Sequence, residues 1–378
     1  MPAEATTLPH TRLDRLSRFL ERDPANPALL ADAAHAAYDA QDFERAAALL
    51  KRYRALQALP PELANLDGMT ALASGRFADA AAAFQSLRDA GADAPVLRFN
   101  LAWTKAMQDR HREALDLLDE ATLDVSPRAP ALKVEMLHHL GKFEDALALG
   151  QDLAQRYPGN ERLMGALASL AMDAERADLA LLYAERAGDD PVGRATLGML
   201  TLGDHDASRA LAMFEASIAA QPSNGRAWIG KGLSLLASGD AAAAAQAMDR
   251  GADIFKDHLG SWVASGWAYF LAGDNAKARA RFEQALAVDP NFAEIHGGLA
   301  VLDVLAGDES GARRRRETAL RLDRKCFGAA LAQSLLLERS GRIQMAQRVR
   351  DMAMSQPIGP KGETLAQALA ALSMSRRK

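Results

Sequence analysis

An all-α repeat fold is what this sequence predicts, and three observations carry the prediction. Gly239, Gly273, Gly307 and Gly341 recur at intervals of 34 residues, the first three followed by Asp. Each ends an apolar-periodic run and precedes an alanine-rich one, as in the five consecutive alanines Ala241–Ala245. Runs of Val, Ile and Thr in alternation with polar residues, the mark of strands, are missing. With 49% hydrophobic residues in 378, a buried core is within reach and wholesale disorder is not expected.

The repeating element reads as a helix, a tight turn that needs Gly in a left-handed conformation, and a second helix. Pro222 and Pro290 stand 68 residues apart, twice the period, and each closes a second helix. The unit at 259–292 is the best formed, with Trp262, Ser265, Gly266, Tyr269, Ala278, Phe282 and Pro290. These residues resemble the tetratricopeptide repeat signature W-x2-L-G-x2-Y, A-x3-F, P on a period of about 34 residues, with Ser265 in place of Leu. The unit before it offers Trp228, Gly232, Ala244 and Met248. Gly141–Pro158, Gly75–Phe84 and Gln41–Leu50 occupy equivalent turn and second-helix positions, with Gln41 where the glycine usually stands.

The resemblance implies a right-handed α-α superhelix of about ten repeats, beginning near residues 27, 61, 95, 127, 161, 191, 225, 259, 293 and 327. The third and fifth repeats are short, and in the unit at 191 the turn is expected to shift to Gly203–Asp206 and shorten the first helix. Terminal repeats expose an apolar face unless capped. A leading helix (Thr11–Arg22) and a closing one (Thr364–Met374, apolar at Leu365, Leu369 and Leu372) are expected to do this. The expected organisation is therefore an N-terminal segment with its cap (1–26), the array (27–360), and a C-terminal cap with a basic tail (361–378).

In the stretch Ser261–Gly273, Trp262 and Trp267 are five residues apart, about 500° of helical rotation, so they cannot share a face. In the family's register Trp262 and Trp228 fall at the fourth, packing position. Trp267 falls at the ninth, on the concave groove, with Val263 and Phe270 four and three residues away on the same face. Phe99 and Trp103 are the equivalents in the third unit, Ile229 and Leu233 in the unit at 225, and Val301 in the unit at 293. The resemblance implies that these eight residues line an apolar groove for a protein or peptide partner. Aromatic side chains in a concave surface are common anchors. Trp267→Ala is accordingly expected to weaken partner binding at little cost in stability.

A subclass of the family grips acidic C-terminal peptides through Lys and Asn at the fifth and ninth positions. Here Asn65 and Met69 stand there, with Asn100 alone matching in the next unit, so no such clamp is expected. From Gly311 to Lys378 there are 15 basic and 5 acidic residues, against a net charge of −4 for the whole chain. Within that segment Arg313, Arg314, Arg315 and Arg316 splay around a helix rather than forming one stripe. They are expected to be solvated and are a candidate contact for an acidic partner. Nucleic acid is not expected, because only one aromatic, Phe327, follows Gly311.

Glu135 and His138 are three apart, but a single E-x-x-H lacks the further carboxylates of a bundle metal site. No H-E-x-x-H, G-x-S-x-G, phosphate-loop or C-x-x-C motif is present, and no catalytic residue, metal or cofactor is expected. The lone Cys326 rules out an internal disulfide and reads as a structural thiol. No apolar run is long enough to cross a bilayer. The N-terminus has no basic stretch followed by an apolar one, so the expected location is cytoplasmic, or periplasmic if a leader was removed.

The sequence thus points to a non-enzymatic scaffold or adaptor. Long alanine-rich arrays of this appearance resemble bacterial adaptors for secretion, pilus or envelope assembly. The alternatives are a protein that self-associates through its acidic body and basic end, and an accessory subunit of a separate enzyme.

Overall fold

A computed structural model describes residues 7–356. The expected closing helix and basic tail lie outside the described residues. The chain divides into two compact units, 1–163 and 164–378.

The described part of the first unit is a series of antiparallel helices. They are α1 (Thr7–Arg22), α2 (Pro27–Asp39), α3 (Phe43–Leu56), α4 (Pro61–Ala73), α5 (Phe77–Asp89) and α6 (Pro95–Ala106). Then come α7 (His111–Asp116), α8 (Glu120–Leu123), α9 (Arg128–His139), α10 (Phe143–Arg156) and the start of α11 (Glu161–Asp173). The leading helix acts as a cap: Leu13, Leu16 and Leu20 of α1 are buried in one cluster with Leu30, Ala33 and Ala37 of α2.

The second unit continues from α11 with α12 (Ala177–Arg186), α13 (Pro191–Gly203), α14 (Ala207–Ala220), α15 (Gly225–Ser238) and α16 (Ala241–Phe255). It goes on with α17 (Leu259–Leu271), α18 (Asn275–Val288), α19 (Ala293–Ala306), α20 (Glu309–Leu322), α21 (Phe327–Arg339) and α22 (Ile343–Met354). Every element among the described residues is helical.

The expected repeat starts coincide with first helices to within a residue. Proline opens several of them, at Pro27, Pro61, Pro95 and Pro191, where its missing N–H costs nothing. What holds the pattern constant is the turn. Two residues before each second helix stands a left-handed residue: Gln41, Gly75, Asp109 and Gly141 in the first unit, then Glu175, His205, Gly239, Gly273, Gly307 and Gly341. The "GD" pair is thereby explained. The residue after the left-handed one is the N-cap, and Asp42, Asp206, Asp240, Asp274 and Asp308 each accept a backbone N–H from three residues on.

The unit at 191 corrects one expectation. The turn does fall within Gly203–Asp206, with His205 left-handed, but α13 has 13 residues, as many as α17, so the first helix is not shortened. The missing length falls in second helices instead. In the third repeat the second helix breaks into α7 and α8, of 6 and 4 residues, and in the fifth α12 has only 10.

A left-handed non-glycine residue costs about 1–2 kcal/mol. Glu175→Gly is therefore expected to stabilise by about 1 kcal/mol, while Gly273→Ala destabilises by a similar amount. Urea titration of the two variants checks this; equal signs for both would sink it.

Core packing between repeats rests on rings set against glycines. Phe282 is fully buried with Gly266 on its own repeat and Gly298 on the next. A Cβ at either glycine would lie 2.8 or 2.5 Å from the ring. Phe214 repeats the arrangement between Gly198 and Gly230.

Candidate functional site

The fourth-position residues serve the fold, as expected. Trp228 Nε1 donates to the Pro222 carbonyl (2.9 Å) and Trp262 Nε1 to that of Lys256 (2.6 Å). His296, at the same place one repeat later, pairs with the Pro290 carbonyl (2.7 Å). In each case the ring nitrogen reaches six residues back and closes the loop before its own helix.

The ninth-position residues fare differently from one another. Trp267 is half-buried, and its ring meets three others edge-on: Phe270 (5.5 Å), Phe282 (5.4 Å) and Phe327 (6.1 Å between centroids). Val301 is fully buried, because Trp267 and Phe270 from the preceding first helix and Leu331 and Leu335 from the following one pack over its cluster. It offers a partner no surface, which corrects its place in the expected set. Val263 and Phe99 are likewise buried, at 8% and 9% exposure. Ile229, Leu233 and Phe270 remain half-buried at the margin of the second unit's core.

In the first unit Trp103 is half-buried and tilts against Phe99 (6.4 Å, 47°). Two guanidinium groups lie over its ring: Arg128, 5.4 Å from the centroid, and Arg162, 5.5 Å away. Such contacts contribute about 0.5–1 kcal/mol at exposed sites. Both arginines sit in the family's second position, which sequence reasoning passed over because it followed only apolar residues.

The four consecutive arginines are engaged within the chain. Arg313 pairs with Glu309 (3.0 Å), and Arg314 donates to Ser310 (3.2 Å). Arg315 pairs with Asp303 (2.9 Å), and Arg316 donates to Gln333. Arg315 and Arg316 thus turn to partners on α19 and α21, which narrows the expected contact surface to Arg313 and Arg314. Asp303 is buried and receives Arg279 as well (2.7 Å). It stands where Tyr269 stands in the preceding repeat, so an ion-paired carboxylate replaces a ring. A second polar hub is Asp249, which accepts from Arg281 Nε and Nη2 (2.8 and 2.7 Å), Tyr269 (2.8 Å) and Ser265. Burial pushes the Asp249 carboxyl up, but these donors outweigh it and hold the group below its ordinary range. Burial and the Asp249 hydrogen bond push the Tyr269 phenol up to about 12.

Cys326 is 2% exposed and caps α21, accepting from the Ala329 N–H (3.4 Å). Burial and the neighbouring Glu294 charge push its thiol up to about 12, which removes the thiolate a nucleophile needs. Burial also raises the Glu294 carboxyl, which accepts the N–H groups of Phe327 and Gly328. His111 stacks on His139 (4.6 Å), and burial with the two neighbouring imidazoles holds His139 low. Among the described residues no group of three His, Cys, Asp or Glu is placed to hold a metal. No described helix is long and apolar enough to cross a membrane.

The turn pattern, the fourth-position contacts and the phenylalanine–glycine packing are those of a helix-pair repeat. A tetratricopeptide repeat model matches residues 65–131, 99–161 and 196–257, and a second one matches 269–336. The chain belongs to the tetratricopeptide repeat family. No curated protein sequence matches it. Among solved structures it is similar to the human IFIT1 dimer with PPP-AAAA, at 14% identity and a TM-score of 0.52, over 93% of this chain and 95% of that one. The Cut9–Hcn1 hetero-tetramer (14% identity, 96% and 86% coverage) and MamA (16%, 44% and 92%) superpose with TM-scores of 0.47 and 0.37. At these identities the likeness concerns the fold alone. Tetratricopeptide repeat arrays are interaction scaffolds, and that coarse role extends to this member.

Proposed function

We propose that this tetratricopeptide repeat protein is a non-enzymatic adaptor that holds a protein or peptide segment on the fifth-, ninth- and twelfth-position face of its first helices. The observation that carries the reading is the set of half-buried apolar side chains kept there: Trp103 in one unit, and Ile229, Leu233 and Phe270 in the other. Each leaves apolar area open that a partner's side chains would cover, at about 25 cal/mol per Å². The alanine-rich array supports placing it in a bacterial assembly system of the secretion, pilus or envelope type. Self-association through a basic end draws less support, since Arg315 and Arg316 are committed to Asp303 and Gln333.

The test is capture by the immobilised full chain, repeated with Trp103→Ala and, separately, Leu233→Ser. A specific protein is expected to be recovered by the native chain and reduced several-fold by at least one variant whose circular dichroism is unchanged. Recovery equal to that of bare resin, or recovery indifferent to both substitutions, overturns the reading.

A further inference from the structure

Arg128 and Arg162 lie in the first turns of α9 and α11, where the helix dipole disfavours a positive charge. Neither forms an ion pair among the described residues, whereas Arg98, Lys105, Arg110 and Arg156 of the same unit all do. Glu161, the acidic residue in the first turn of α11, is exposed and pairs with neither. Arg162 Nε is buried without a hydrogen-bond partner. An unsatisfied buried donor is costly, and so is an uncompensated charge against a dipole. Both are gathered over one half-buried indole, Trp103, on the face proposed for docking. A bound anion beside the two guanidinium groups would neutralise these charges.

We propose that Trp103, Arg128 and Arg162 form a docking site for an acidic segment of the partner protein, read through its Asp and Glu carboxylates. The inference rests on the adaptor reading above and adds the partner's chemistry. Guanidinium groups match carboxylates as planar two-donor forks. Phe99 backs the indole, whose remaining open surface receives an apolar side chain between the carboxylates. Single-stranded nucleic acid fits less well, because a base needs an open ring face and two guanidinium groups already lie over Trp103.

The probe is fluorescein-labelled poly-L-glutamate, titrated with the full chain at low salt and read by anisotropy. The double variant R128Q/R162Q is expected to bind roughly tenfold more weakly and each single variant a few-fold more weakly. Added salt weakens the native chain's binding as the charges are screened. A melting curve of each variant separates folding from binding: relieving a positive charge in a helix's first turn stabilises, while losing a guanidinium contact with Trp103 costs about 0.5–1 kcal/mol, so the fold is expected to survive both substitutions. The reversal R128E/R162E is expected to lose poly-glutamate and gain poly-L-lysine. Poly-glutamate binding that the double variant leaves unchanged overturns the proposal. So does tighter binding of poly-uridylate through the same two arginines. A captured partner that survives R128Q/R162Q but is lost in Leu233→Ser overturns the acidic site while leaving the adaptor reading standing.

Discussion

Trp267→Ala is expected to destabilise the second unit by about 2–4 kcal/mol, in the range of large core truncations. The ring touches Phe270, Phe282 and Phe327 edge-on, a geometry that adds to its buried area. It also roofs the cluster containing Val301 and Val304. This reverses the expectation from sequence that the substitution costs little. Urea unfolding of the full chain reads the effect as a drop in midpoint, with Trp267→Phe falling between the two. Trp103→Ala serves as the contrast, since it gives up one tilted ring and two guanidinium contacts and should cost clearly less. A loss below about 1 kcal/mol for Trp267→Ala would return that residue to the role of a free anchor.

Gly298→Ala is expected to cost about 1–3 kcal/mol, the typical penalty for overpacking. The added Cβ would stand 2.5 Å from Phe282 Cζ, and Gly266 closes the other side at 2.8 Å. Phe282 has no exposed surface into which to retreat. Because the conflict is steric, trimming the ring should relieve it. In the Gly298→Ala background, Phe282→Leu is expected to cost far less than it does alone. Simple additivity of the two losses in a double-mutant cycle would show that the ring and the glycine are not in conflict.

Much of the fold was legible because the repeat writes its punctuation in a few residue types. The 34-residue recurrence of the turn glycines, with the family signature in register, places the first helices to within a residue. Reading stopped where chemistry substituted for type. Gln41, Asp109, Glu175 and His205 hold the same left-handed conformation as the glycines, so the glycine pattern alone does not mark these turns. Pro222 and Pro290 mark the ends of two second helices, but no residue pattern marks the break between α7 and α8. For the candidate site, register found Trp103 and Trp267 but could not rank burial. Val301 and Trp267 share a position, yet the small side chain lies under the large one. The partners of Arg315, Arg316 and Trp103 come from other helices, at separations that no local pattern encodes.

Trp267 of one repeat touches Phe327, the opening residue two repeats on, and Trp103 reaches Arg162 across the same interval. A solenoid is usually treated as a row of beads coupled only to their nearest neighbours. Here the coupling has a second-neighbour term at two places, one in each unit. The mechanical counterpart is a strut: one side-chain contact reaches past the middle first helix and joins the two on either side of it. Releasing the repeat that opens at Phe327 therefore breaks the Trp267–Phe327 contact as well as those with its immediate neighbour.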